Sequence, residues 1–198
     1  AHAINIEASP ADNVRAVARA LRKSVGEVTV VVLDRPRHEG LIKEIRAAGA
    51  RIRLIQDGDV AGALSTCLPN TGNDLLMGIG GSPEAVITAC AFKCVGGNMQ
   101  CKLWPRNDEE RRKCDEKGMD FNKVLTLNDL VASENVFFAA TGVTTGDWLK
   151  GVEYYNDGIH TSSIVMRSKS GTIRYVHAVH HSEKLDEISE GNTSASFL

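Results

Sequence analysis

Val28-Thr-Val-Val-Val-Leu33 is a run of β-branched and apolar residues in which only Thr29 is polar. A strand with one wet face alternates apolar and polar residues. This run does not, so it reads as a strand covered on both faces, as in a parallel sheet with helices over each side. The flanking segments supply those helices. Upstream, Ser9-Pro10-Ala11-Asp12 is a helix-start pattern, and Val14, Val17, Ala18 and Leu21 recur on one helical face, which predicts a helix to about Lys23. Ala3 to Glu7 reads as a strand or connector leading into it. Downstream, Leu41, Ile42, Ile45 and Ala48 mark a second helix that Gly49 closes. A strand is then expected over Arg51 to Ile55, a helix over Val60 to Leu68, a strand over Leu75 to Ile79 and a helix over Pro83 to Val95, with Ser82 as its cap. The alternation predicts right-handed crossovers and an α/β fold, a mostly parallel sheet with helices on its faces.

Beyond Gly97 the alternation stops. Asp108 to Lys117 mixes both charge signs densely, as a solvated helix or insertion does. Asn135 to Ala140 resumes as a strand ending in Thr141-Gly142, and Trp148-Leu149 reads as a short helix. Ser162 to Met166 and Thr172 to Val179 form two more strands about a hairpin-like turn at Ser168-Lys-Ser-Gly171. From Ser182 the chain is polar and its end is expected to be mobile, so residues 3–181 are taken as the folded part and 182–198 as a tail.

With 198 residues the chain can bury a real core. Its 23 basic and 25 acidic residues give a formal net charge of -2, which excludes the electrostatic footprint of a nucleic-acid or anionic-membrane binder. No apolar run approaches the roughly 20 residues that span a bilayer, and no signal or transit pattern opens the sequence, so a soluble protein is expected. The start at Ala1 rather than Met points to a processed or truncated chain. Five cysteines without paired spacing indicate a reducing compartment, with Cys90 and Cys94 on one helical face as core thiols. Asn192-Thr-Ser194 matches a glycosylation acceptor by chance in a chain without a secretory signal. His177 and His181 share one face of a strand but lie far apart along it, so no metal site is expected there.

Parallel sheets bind ligands where strand C-termini run into loops. Three segments qualify, and one shared site is expected of them. Arg35 and Arg37 straddle Pro36, and two guanidinium forks at a strand end suit a phosphate, or else a surface pairing with Asp34 and Glu39. Asp57 and Asp59 flank Gly58, where carboxylates can grip sugar hydroxyls or a divalent cation, or where Asp59 simply caps the next helix. Gly78-Ile-Gly-Gly-Ser-Pro-Glu84 turns sharply into a helix N-terminus, a cradle for an anion. Glu84 would repel a bound phosphate unless a cation sits between them; alternatively it merely complements the helix dipole. No nucleophilic triad, Walker A loop or dinucleotide fingerprint is present.

Taken in order and spacing, Asp34-Arg-Pro-Arg-His38, Ile55-Gln-Asp-Gly-Asp-Val60, Gly78-Ile-Gly-Gly-Ser-Pro-Glu84, Phe137-Phe-Ala-Ala-Thr-Gly-Val143 and Ser170-Gly-Thr-Ile-Arg174 resemble the class II fructose-1,6-bisphosphatases from about Ala3 to His181. The resemblance implies the layered α/β sandwich of the lithium-sensitive sugar phosphatases. It implies Mn²⁺- or Mg²⁺-dependent hydrolysis of the 1-phosphate of fructose 1,6-bisphosphate, with sedoheptulose 1,7-bisphosphate accepted by some photosynthetic members. By position, Arg35, Pro36 and Arg37 match the basic loop that holds phosphate, Asp57, Gly58 and Asp59 the sugar-binding segment, Gly81 a backbone contact to substrate, and Glu84 a metal ligand. The family's other metal carboxylates, in Gly-Glu-Gly-Glu and Asp-Pro-Ile-Glu-Gly segments, and a substrate-contacting tyrosine lie upstream of the matched region and are not in this chain. The chain thus resembles the C-terminal, substrate-binding part of the enzyme and is expected to be inactive alone. A homodimer or homotetramer in the cytoplasm, or in a plastid stroma, follows by resemblance only. The rivals are a non-catalytic sugar-phosphate-binding or regulatory domain and a nucleotide-binding α/β module.

Overall fold

A computed structural model describes residues 3–181 together with Lys184. Apart from Lys184, the expected mobile tail, with the Asn192 motif, lies outside the described residues. The elements run α1 (Pro10–Leu21), β1 (Thr29–Leu33), α2 (Glu39–Ala47), β2 (Arg51–Ile55), α3 (Asp59–Ser65), β3 (Leu75–Leu76), α4 (Ser82–Val95), β4 (Gln100–Cys101), α5 (Asp108–Glu116), β5 (Leu125–Thr126), α6 (Leu127–Leu130), β6 (Phe137–Thr141), β7 (Glu153–Tyr155), β8 (Gly158–Arg167) and β9 (Thr172–His180). No helix among the described residues is long and apolar enough to cross a membrane.

The first three strands form a parallel sheet in the order β2-β1-β3. The chain steps from β1 outward to β2 and then back across β1 to β3, so right-handed crossovers in opposite directions place α2 and α3 on opposite faces. Val28, Val30 and Val32 pack against Val14, Val17 and Ala18 of α1 and against Ile42 and Ile45 of α2. Val31 faces the other way, toward α3 at Gly62. The β-branched run is thus buried on both sides, with Val30, Val31 and Val32 at most 1% exposed.

A second core lies between α3, α4 and an antiparallel sheet. Leu64 and Leu68 meet Ala91, Phe92 and Cys94, and all of them pack on Phe138, Ile164 and Met166 from β6 and β8. Four layers result: α1 and α2, the parallel sheet, α3 and α4, then the antiparallel sheet. The α/β class with a helix-covered parallel sheet is as expected. The antiparallel share is larger than the sequence indicated, because β8 pairs with β6 and β7 along one edge and with β9 along the other. Ile173 and Tyr175 of β9 share the inner face of Met166 and Ile164 but are 39% and 63% exposed, since the helices above β8 reach β9 only in part.

Several local expectations change. β3 is only two residues long: after Met77 donates its N–H to Val31, Gly78 turns the chain out of the ladder at φ +143°. α3 stops at Ser65, where Ser65 Oγ bonds back to the Gly62 carbonyl (2.6 Å) and Thr66 Oγ1 to that of Ala63 (2.8 Å). Trp148-Leu149 is not helical; the Trp148 indole N–H is held instead by the Ala61 carbonyl at 3.1 Å. α1 ends two residues early, at Leu21, where Arg22 adopts the left-handed conformation.

Candidate functional site

The loops after β1, β2 and β3 meet at one end of the parallel sheet around a cavity of about 310 Å³, lined by Leu33, Arg35, Arg37, Asp57, Gly58, Asp59, Gly80, Gly81 and Glu84. With strand order 2-1-3, the sheet's switch point falls between β1 and β3, where opposed crossovers leave a crevice. Seven of the eight residues singled out from the sequence line it; the eighth, Pro36, does not.

Pro36 opens a 3₁₀ turn, Pro36–His38, and holds Arg35 in extended backbone at φ -140°. Arg35 donates through Nη2 to Asp57 Oδ1 (3.1 Å) and through Nη1 to the Asp34 carbonyl (2.8 Å). Arg37 donates through Nε (3.2 Å) and Nη2 (2.7 Å) to the carbonyl of Ile79. Each guanidinium is thereby fixed in direction by two of its five donors, with the others available to a ligand.

Three carboxylates balance them. Asp57, 90% exposed, leans on Arg35. Asp59 accepts the Val60 N–H through Oδ1 at 3.0 Å, while its Oδ2 lies over Gly80. Glu84, in the first turn of α4, folds back over Gly81. The helix caps differ from expectation: Gly58 rather than Asp59 precedes α3, and Gly81 rather than Ser82 is the N-cap of α4, with no side-chain capping bond. The first turn of α4 therefore meets the cavity without a capping side chain from Gly81, and Glu84 is the side chain that lies beside its N-terminus.

Among the described residues no group of three or more His, Cys, Asp or Glu side chains could hold a metal ion. Glu84 and its neighbours thus do not fit a divalent cation by themselves. The histidines of β8 and β9 make other contacts. His160 packs at a tilt against Tyr155 (centroids 4.6 Å apart) and meets His177 edge-on (5.1 Å), and His180 bonds Thr161 Oγ1 at 2.9 Å.

Two features had no role from the sequence. His38 is buried (1% exposed) between the first and third loops. A larger cavity of about 400 Å³ adjoins the first, sharing Asp57 and Gly58 and walled by α3, Phe138, Ala140 and the Thr141–Leu149 segment. That placement explains the position of the Phe137–Val143 motif beside the site.

The family model described as bacterial fructose-1,6-bisphosphatase, glpX-encoded, matches residues 1–180. The chain belongs to the class II fructose-1,6-bisphosphatase family. Within the family it is similar to the class 2 fructose-1,6-bisphosphatase of Haemophilus influenzae, with 43% identity over 89% of this chain and 57% of the relative. It is also similar to the class 2 D-fructose 1,6-bisphosphatase/sedoheptulose 1,7-bisphosphatase of Synechococcus sp. strain JA-2-3B'a(2-13), with 40% identity over 89% of this chain and 55% of the relative. The chain therefore spans a little over half the length of these family members.

Proposed function

We propose that this chain supplies the sugar-phosphate-binding face of a bisphosphatase that hydrolyses the 1-phosphate of fructose 1,6-bisphosphate. The observation that carries the reading is the convergence of two arginines, three carboxylates and a helix N-terminus on one cavity at the sheet's switch point. In this reading Arg35 and Arg37 neutralise a substrate phosphate, Asp57 and Asp59 accept hydrogen bonds from sugar hydroxyls, and Gly81 lets the backbone approach the ligand. Glu84 contributes one carboxylate toward a Mn²⁺ or Mg²⁺ site whose remaining donors are not among the described residues. Sedoheptulose 1,7-bisphosphate is the second ligand to compare, because one relative's name includes it. Assembly as a homodimer or homotetramer in the cytoplasm or a plastid stroma belongs to the same proposal.

Calorimetric titration of the chain with fructose 1,6-bisphosphate, sedoheptulose 1,7-bisphosphate, inorganic phosphate and AMP tests it. A sugar bisphosphate is expected to bind best, and Arg35→Gln to weaken it about tenfold, the worth of one charge-assisted hydrogen bond. Equal binding of inorganic phosphate, or tighter binding of AMP, would sink the reading, the latter in favour of a nucleotide module. Phosphate release by the chain alone is expected to be negligible. The lack of a three-donor group among the described residues also suits a non-catalytic regulatory domain. Sugar-phosphate binding without metal-dependent hydrolysis by the protein expressed from its complete gene would favour that rival.

A further inference from the structure

We propose that His38 is a positioning residue, which fixes the Gly78–Gly81 turn against the arginine loop through a single neutral tautomer and thereby aims Arg37 into the cavity. The proposal deepens the sugar-phosphate reading and rests on it for its ligand. His38 Nδ1 lies 2.7 Å from the Leu33 carbonyl at the end of β1, and a carbonyl can only accept. Nδ1 therefore carries the proton. Nε2 lies 2.8 Å from the N–H of Ile79, which can only donate, so Nε2 must present its lone pair. Both ring nitrogens are committed to backbone, and the ring is neutral.

Ile79 is held a second time, because its carbonyl accepts both Nε and Nη2 of Arg37. The result is a closed circuit from the end of β1 through the imidazole to Ile79, and back through Arg37 to the loop that carries His38. Arg37 can point as it does only while the Ile79 peptide faces it, and the imidazole holds that peptide. Gly78 completes the arrangement: a Cβ there would lie 3.1 Å from both Cε1 and Nε2 of His38, so the turn is seated directly on the ring. A histidine that served packing alone would need neither the lone pair nor this register with Arg37.

Two isosteric variants separate the two ring nitrogens. His38→Gln can keep an acceptor near the Nε2 position while losing the Leu33 contact; His38→Asn can keep a donor near Nδ1 while losing the Ile79 contact. Titration with fructose 1,6-bisphosphate is expected to place His38→Gln within about threefold of the parent and His38→Asn about tenfold or more weaker, with faster amide hydrogen exchange at Ile79 in the Asn variant only. Parent-like affinity and parent-like Ile79 exchange in folded His38→Asn would overturn the proposal. If that variant does not fold, ¹⁵N chemical shifts of the parent imidazole still decide: a protonated Nδ1 with a bare Nε2 is expected, and a protonated Nε2 would overturn the clamp. Failure of the parent to bind any sugar bisphosphate would count against the functional reading instead, since tautomer and exchange test the clamp without a ligand.

Discussion

A Cβ added at Gly80 would lie 2.7 Å from Asp59 Oδ2, and one added at Gly81 would overlap Glu84 Oε2, so each glycine keeps open the seat of one carboxylate. Both obstacles are ends of flexible side chains, so Gly81→Ala is expected to displace the Glu84 carboxylate while leaving the thermal midpoint nearly unchanged. On the proposed function, Glu84→Gln in the protein expressed from its complete gene should lower turnover sharply and weaken metal activation, with a smaller loss of sugar-phosphate binding. Gly81→Ala should follow it in kind, and wild-type metal dependence in both variants would remove Glu84 from the site. At this scale the arginines and carboxylates were legible because loops after parallel strands are where ligands bind. The role of His38 was not legible, because its partner Ile79 lies 41 residues on and nothing in the sequence marks that a histidine is buried. The cysteines behave as the core reading expects for Cys94, and burial raises the thiols of Cys67, Cys94 and Cys101 above the ordinary value. These three should alkylate far more slowly at neutral pH in the native chain than in the unfolded one, and equal rates would count against their placement.

Among the elements, the short α6 depends on its first turn: Asp129 Oδ2 accepts both the Thr126 N–H (2.9 Å) and Oγ1–H (2.7 Å), and its other oxygen meets Lys123 at 2.8 Å. The Lys123 ammonium, with these two bonds from Thr126, holds the Asp129 carboxyl well below the usual carboxylate range. Ser9 lowers the Asp12 carboxyl in the same direction through its hydroxyl hydrogen bond, and Ser24 lowers that of Glu27. Because the folded values are depressed, these groups favour the fold above the ordinary carboxylate pKa of roughly 4 and lose that contribution as pH falls through the folded values. Thermal melts from pH 5 downward should therefore show a falling midpoint, with a shallower acid slope in Asp129→Asn; an unchanged slope would refute the role given to Asp129. Longer elements were legible from periodicity, and β3 and α3 were overestimated because apolar residues continue past the point where Gly78 and the Ser65 and Thr66 hydroxyls end them. Trp148 reads as helical by its neighbours and is fixed by a distant carbonyl instead. In the core shared by α3 and α4, Leu64→Ala is expected to cost about 2–5 kcal/mol by opening a cavity, measurable by denaturant unfolding; a cost well under 1 kcal/mol would mean Leu64 is not the packed residue its complete burial indicates.

For the whole molecule, the second core and its antiparallel partner sheet were only partly foreseen, since the residues that meet there, Phe92 with Phe138 and Met166, are tens of positions apart. Along its far edge β9 pairs with no strand among the described residues, and it exposes Tyr175 (63%), Val176 (43%) and Val179 (45%). Such an edge is a template for further pairing. The isolated chain should therefore associate as its concentration rises, and Val176→Lys should suppress this; concentration-independent sedimentation of the parent would argue otherwise. The layered arrangement also separates in time what it joins in space. Every residue lining the smaller cavity falls within 33–84, on consecutive strand-helix units whose contacts close short loops, whereas the inner wall for α4 is supplied by strands at 137–180. During synthesis the ligand cradle can therefore assemble first. It waits with Phe92 and Leu64 bare until the last third of the chain leaves the ribosome, an interval in which a chaperone would find its target on α3 and α4 and not on the cradle.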